Sequence, residues 1–342
     1  MKHTTMIQLQ KKKQRKAFTY LMGLSILLVL CSILYLSVGS TTYSLQEVLD
    51  VLLGKAQGSA GFTIGVLRLP RLWSGLLAGM ALGAAGTTFQ RLLRNPLASP
   101  DIIGVSSATS AAALFCILFL QFSGPIVSLI SIIAGLGIAL LLFLCGKGSV
   151  FSNNRMILIG LGLQAMLTAC ISFMLLRANQ HDVSAAMRWL SGSLTGMQMH
   201  NVYPLAIVIV IALTGLFLLQ RPLSLMETGE ELSITLGVPT TKVRALAILC
   251  AVVLIAFTTS LCGPIAFVSF LAGPIARQLN KGATPNLMMA ALIGALLVII
   301  GDFAAQNLVA TRYPVGVMTG ILGAPYLLFL LIRMNKSGGV SS

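Results

Sequence analysis

Ten apolar runs, most of them near 20 residues long and separated by short loops, constrain what this chain can fold into. Crossing a bilayer takes about 20 apolar residues per helix. On that rule the spans fall at 17–38, 70–92, 102–122, 125–145, 156–177, 201–220, 243–262, 264–279, 287–308 and 315–333. Pro264 and Pro274 break the eighth, which is also short. Only 9% of the 342 residues are charged, against about 25% in soluble domains. The expected fold is an all-α polytopic membrane protein with both termini cytoplasmic. Its parts are a basic tail (1–16), a single membrane domain (17–333) and a second cytoplasmic tail (334–342).

The sidedness follows from lysine and arginine, which favour the cytoplasmic face. With the N-terminus inside, 17 of the 23 basic residues fall in inner segments and six in outer ones. The six are Lys55, Arg68, Arg71, Arg177, Arg188 and Arg312. Losing the eighth span would invert everything after it and spoil this agreement. The net charge of +15 is thereby an orientation signal and not a nucleic-acid footprint, since no soluble domain carries a basic stripe interleaved with aromatics. The basic run at 11–16 followed by apolar 17–38 resembles a signal peptide. The apolar part is longer than an ordinary signal core of roughly 7–15 residues, so it reads as a retained first span.

Catalysis finds little support. The six cysteines stand singly in apolar runs, without a CxxC pair or a Cys/His cluster, so no metal site is expected. His3, His181 and His200 form no ligand set. There is no HExxH, no Ser/His pair at credible spacing and no GxxxxGK[ST] phosphate loop. Glycine and alanine recur inside the spans, as in Gly75–Gly79 and Gly83–Gly86, which fits a closely packed bundle.

One ionisable residue, Asp302, lies deep in a span, and such residues are costly in lipid. Gln306 follows at i+4, within helical hydrogen-bonding reach. Asp302 reads first as a structural group satisfied by neighbouring helices. A proton or sodium site, or a role in docking an external partner, are the alternatives. An ion-coupled secondary transporter is disfavoured because no second carboxylate or buried base is apparent.

The longest inner loop, 220–244, contains the stretch GEELSITLGVP. Thr228 and Glu231 have capping-box spacing. Glu230 and Glu231 suit a first helical turn, and Gly237 followed by Pro239 suits a helix end. A two-turn helix near 229–236 is marginal alone. Either its own spans or a cytoplasmic partner must hold it.

The segment Arg68–Ser107 is punctuated unlike an ordinary span: two arginines and a proline, a glycine-rich apolar helix, then Asn-Pro-Leu-Ala between basic residues. LRLPR at 67–71, NPLASPDIIGVS at 95–106, ILIGLGLQ at 157–164 and WLSGSLTG at 189–196 occur in order with GEELSITLGVP at 229–239. CGPIAFVSFLAGPIARQL at 262–279 and YPVGVMTGILGAPYLLFLL at 313–331 complete the set. Over nearly the whole chain this resembles FecCD permeases, the membrane subunits of type II ATP-binding-cassette importers for ferric siderophores, haem and cobalamin.

The resemblance implies a transport subunit without enzyme activity or a cofactor of its own, multi-pass in the bacterial cytoplasmic membrane. ATP and Mg would be bound by two separate ABC ATPase subunits. A second permease would complete the pathway, and a substrate-binding protein would dock outside. Arg68 and Arg71 match the family's docking arginines. A third arginine is usual where this chain has Gln306, a departure that Arg312 partly offsets and that favours an unlike permease partner. Asn95 and Leu97 match one cytoplasmic gate, and Asn153 and Asn154 the other. Glu230, Glu231, Leu232, Leu236 and Gly237 match the ATPase-coupling helix, which resolves its two readings towards a partner. Gly273 stands where many relatives carry histidine, as in siderophore-type relatives. The implied cargo is a ferric siderophore, with haem or cobalamin as the alternative.

Overall fold

The computed structural model describes residues 2–55, 58–145, 153–280, 286–308 and 311–338. Its described elements are helical. In chain order they are α1 (Lys2–Ser37), α2 (Leu45–Leu52), a π-helical turn (Gly61–Arg68) running into α3 (Leu69–Leu92), a 3₁₀ turn (Pro100–Ile103) and α4 (Val105–Leu118). There follow α5 (Pro125–Cys145), α6 (Asn153–Arg177), α7 (Gln180–Leu190), α8 (Met199–Leu218), α9 (Gln220–Glu227) and α10 (Glu230–Thr235). The chain continues through α11 (Thr240–Cys262), α12 (Val268–Leu279), α13 (Leu287–Asn307) and α14 (Val315–Gly338).

Among the described residues six helices are long and apolar enough to cross a membrane unaided, and α4, α5 and α14 contribute three shorter apolar stretches. With α12 they occupy the ten expected segments. The eighth is the irregular one. Its 12 residues rise about 18 Å, well short of the roughly 30 Å of hydrocarbon. The rest of that crossing is the non-helical stretch 263–267, in which Gly263 and Ile265 are buried. Gly263 (φ +70°) and Gly192 (φ +65°) permit it, since a Cβ at either would strike the Trp189 or Pro264 carbonyl. Ser193 N–H donates to the Cys262 carbonyl (2.7 Å) and Gly316 N–H to that of Gly192 (3.2 Å). These bonds satisfy backbone that lipid could not.

The centre of the bundle is α3, buried at every position from Ala81 to Leu93 and packed chiefly on α13. Gly75, Gly79 and Gly83 recur at i+4 and let the two backbones touch. A methyl at Gly79 would meet the Gly294 carbonyl, and one at Gly83 that of Ala290. With no hydrophobic drive between helices in lipid, such close van der Waals packing supplies association. The outer helices α1, α6 and α8 instead present large apolar side chains such as Leu30, Leu176 and Ile211 outwards, as a lipid-facing surface requires.

Two local expectations about the inner loop are corrected. The inner loop holds an additional helix, α9, before α10. The capping box expected at Thr228–Glu231 is absent. Thr228 Oγ1 instead donates to the Leu225 carbonyl (2.7 Å) at the end of α9, and Gly229 (φ +143°) occupies the N-cap of α10 without a side-chain bond. A capping box does form at α2, where Ser44 and Glu47 cap each other.

Candidate functional site

Two polar clusters lie at opposite ends of α3. The outer one begins where the π-helical turn becomes α-helix. Leu69 N–H reaches back five residues to the Ile64 carbonyl. The next residue, Pro70, has no N–H to offer, so the register changes there at little cost. The wide turn places Arg68 and Arg71 on one side of the rod. Arg71 closes a fork on Asp302, with Nε to Oδ2 at 2.9 Å and Nη2 to Oδ1 at 2.7 Å. Tyr35 of α1 donates its hydroxyl to the same carboxylate (2.5 Å). Gln306 Nε2 donates to both Asp302 Oδ2 (2.7 Å) and Tyr35 Oη (2.9 Å).

Asp302 is fully buried, and every group facing its carboxylate donates to it. A buried carboxylate needs such compensation. Arg71 therefore commits the Nε and Nη2 edge of its guanidinium to Asp302. Arg68 differs. Its guanidinium donates to the carbonyls of Leu36 and Thr41 (2.6 Å each) and lies 5.3 Å from the Tyr43 ring centroid. None of these partners neutralises its charge. Arg312 is exposed and lines the same outer cleft of about 240 Å³ as Arg68, Arg71 and Gln306.

The inner cluster secures α9 to the end of α3. Arg91, buried in the last turn, pairs through Nε with Glu227 and donates from Nη2 to Ser224 Oγ (2.7 Å). Arg94 Nη2 donates to the Met226 carbonyl (2.6 Å). Helix α10 sits beyond α9. Buried Ser233 donates to the Leu225 carbonyl (2.8 Å) and to that of Gly229 (2.5 Å). The Gly237 and Val238 N–H groups donate to the carbonyls of Ile234 and Ser233 (2.9 and 3.0 Å), a Schellman closure. Arg244 of α11 pairs with Glu230 (3.4 Å). Leu232, Ile234 and Leu236 are each more than half exposed, and Glu231 and Gly237 are exposed beside them.

After α3 the chain turns through Arg94, at φ +50°. Asn95 Oδ1 accepts from Leu97 N–H (2.9 Å), fixing an Asx turn with Asn95 exposed and Leu97 half-buried. Asn153 and Asn154 form the first turn of α6, but their side chains lie outside the described residues. The room a side chain at Gly273 would need is filled by Gln90 and Thr87, and Gln90 Nε2 donates to the Phe270 carbonyl (3.0 Å).

Sequence reasoning did not find Tyr35, Arg91 or Glu227. The signal for the first was the demand of buried Asp302 for partners at its own depth. The signal for Arg91 was a basic residue inside the uninterrupted buried stretch of α3.

The described residues form a polytopic bundle of apolar helices with a polar cluster at each end of α3. The chain belongs to the FecCD transport family, whose pattern matches residues 27–333. It is 36% identical over 299 residues, covering 87% of this chain and 91% of the relative, to the ferric enterobactin transport system permease protein FepG of Escherichia coli K12. It is 34% identical over 334 residues, covering 97% and 98%, to the Fe(3+)-citrate import system permease protein YfmE of Bacillus subtilis 168. A solved inward-facing structure described as a metal-chelate type ABC transporter superposes with a TM-score of 0.82 at 26% identity, covering 92% of this chain and 98% of that one. The chain is accordingly a multi-pass permease of the cytoplasmic membrane, a transport subunit of the ABC importer kind and not an enzyme.

Proposed function

We propose that this chain is one permease half of an ATP-driven importer that carries a ferric siderophore into the cell by alternating access. The observation that carries the reading is α10. It presents Leu232, Ile234 and Leu236 on the inner side, held by an ion pair to α11 and a hydrogen bond to α9. Apolar residues exposed outside the lipid suit a protein interface, and an ATPase subunit is the partner that an importer of this family needs. Two such ATPases bind ATP and Mg, and this chain binds neither. The second permease is an unlike FecCD-type chain, which the missing outer arginine at Gln306 supports.

A substrate-binding protein docks outside through acidic residues. Arg68 and Arg312 meet them, because Arg71 is committed to Asp302. At the other face the Asn95–Leu97 turn gates the pathway together with Asn153 and Asn154. The cargo reading rests on relatives named for ferric enterobactin and Fe(3+)-citrate. Haem or cobalamin is the second reading within the class. Uptake of ⁵⁵Fe chelates by cells tests the mechanism. Uptake should cease when the ATPase is inactivated and survive a protonophore while ATP is maintained. Uptake that persists without the ATPase and collapses with the proton gradient would instead indicate a secondary transporter.

A further inference from the structure

Several helical hydroxyls among the described residues are satisfied locally. Thr88, Thr109, Thr168 and Thr214 each donate to the carbonyl four residues back at 2.7–2.9 Å. A different set surrounds a cavity of about 360 Å³ bounded by α4, α6, α11 and the break before α12. Ser107 and Ser110 of α4, Gln164 of α6, Thr259 of α11 and Ser269 of α12 line it. None of these five side chains hydrogen-bonds to any described residue. Ser110, Thr259 and Ser269 are only 2–3% exposed, and the surface they keep faces this cavity. They also differ from the sealed orphan hydroxyls of Ser74, Thr87, Ser131 and Thr258, because they border open space.

Five unmatched polar groups around one cavity within a membrane bundle call for a polar occupant. The cavity extends from Asp101, beside the inner turn, to Leu190 at the end of outer helix α7. Its one fixed charge is Asp101, which already accepts from Ser99 (3.0 Å) and Ser106 (2.7 Å). With one partnered carboxylate, the cavity is a poor site for a bare metal ion, which needs several charged ligands. The remaining groups are hydroxyls and an amide, which donate to oxygen acceptors without holding them tightly.

We infer that Ser107, Ser110, Gln164, Thr259 and Ser269 form a transit subsite that hydrogen-bonds the oxygen-rich surface of a ferric chelate between the outer and inner ends of the bundle. This deepens the importer reading and rests on it. A flat porphyrin, with an apolar face towards this wall, leaves the same hydroxyls unmatched. The cavity holds only part of a chelate, and the second permease supplies the opposing wall.

The test uses the complete importer, both permeases with ATPases and binding protein, in proteoliposomes. The probes are a ⁵⁵Fe-labelled trihydroxamate, ⁵⁵Fe-citrate and haem. Loss of one hydrogen bond changes a rate by roughly two- to tenfold. The double variant Ser110→Ala/Thr259→Val should therefore slow transport of the ferric chelate at least about fivefold, while Ser110→Thr stays within about twofold of the parent. Binding-protein docking should not change in either. Where the double variant fails to reach the membrane, Ser110→Ala alone should still give a loss of about twofold. A parent that moves the ferric chelate, with variants that match it, overturns the subsite and leaves the importer reading standing. A parent that moves haem and neither ferric chelate overturns the assigned cargo chemistry. A parent that moves none of the probes counts against both readings.

Discussion

Arg71 and Asp302, 231 positions apart in sequence, meet as a two-pronged ion pair that joins the outer ends of α3 and α13. The same two helices touch backbone to backbone at Gly79 and Gly294. Charge at the end and glycine along the length hold the central pair as one unit.

Removing one partner of a buried pair leaves the other charge uncompensated and costs about 3–5 kcal/mol. Arg71→Ala and Asp302→Ala should each lower the melting temperature of the detergent-purified protein sharply. The double variant should be more stable than additivity predicts, because no lone charge remains. Strict additivity would mean that the pair is not coupled.

Packing along α3 gives a steric prediction. Gly79→Ala and Gly83→Ala push a methyl into backbone carbonyls and should cost about 1–3 kcal/mol, seen as lost yield and a lower melting temperature. Gly137→Ala, where a Cβ meets nothing within 4 Å, should be neutral or better, since alanine is the stronger helix former.

Charge reversal separates the outer arginines. Arg68→Glu with Arg312→Glu should weaken binding-protein affinity about tenfold at low salt and less at high salt, as screening predicts. Arg71→Glu should fail earlier, in stability, by placing a second carboxylate against Asp302. Surface plasmon resonance at two ionic strengths, beside a melting curve, distinguishes the two effects.

At the inner face, Leu236→Asp should reduce ATPase co-purification by about 2 kcal/mol of binding, the scale of an interface hot spot. Glu227→Ala should leave Arg91 buried without its partner and loosen α9. Its signature is intact assembly with ATP hydrolysis that no longer drives uptake. Unchanged coupling in both variants would remove the role assigned to this face.

The crossings were legible because hydrocarbon thickness demands a run length that composition displays directly. Even the irregular eighth was visible through Pro264 and Pro274, although the glycines that let 263–267 run non-helically show their purpose only when Gly192 and Gly263 meet. Asp302 stood out as a lone carboxylate in an apolar span. Its partner Arg71 did not, because the pairing depends on how α3 lies against α13 and no local pattern encodes it. The cap at Thr228 was misread for a related reason. A threonine ending one helix can bond backwards to that helix, and the unexpected α9 gave it that option. The chamber hydroxyls were hidden as well. Serine on a helix usually bonds its own backbone, and only the assembled cavity shows which ones do not.

ATP-driven passage of an iron chelate through this chain is the central proposal. The most direct measurement is ⁵⁵Fe-siderophore uptake into proteoliposomes holding the two permeases and the ATPases, with binding protein on the outer side and ATP sealed inside. Uptake that requires the enclosed ATP, and disappears when this permease is omitted or carries Leu236→Asp, is the predicted result. Equal accumulation without ATP or without this chain would contradict it.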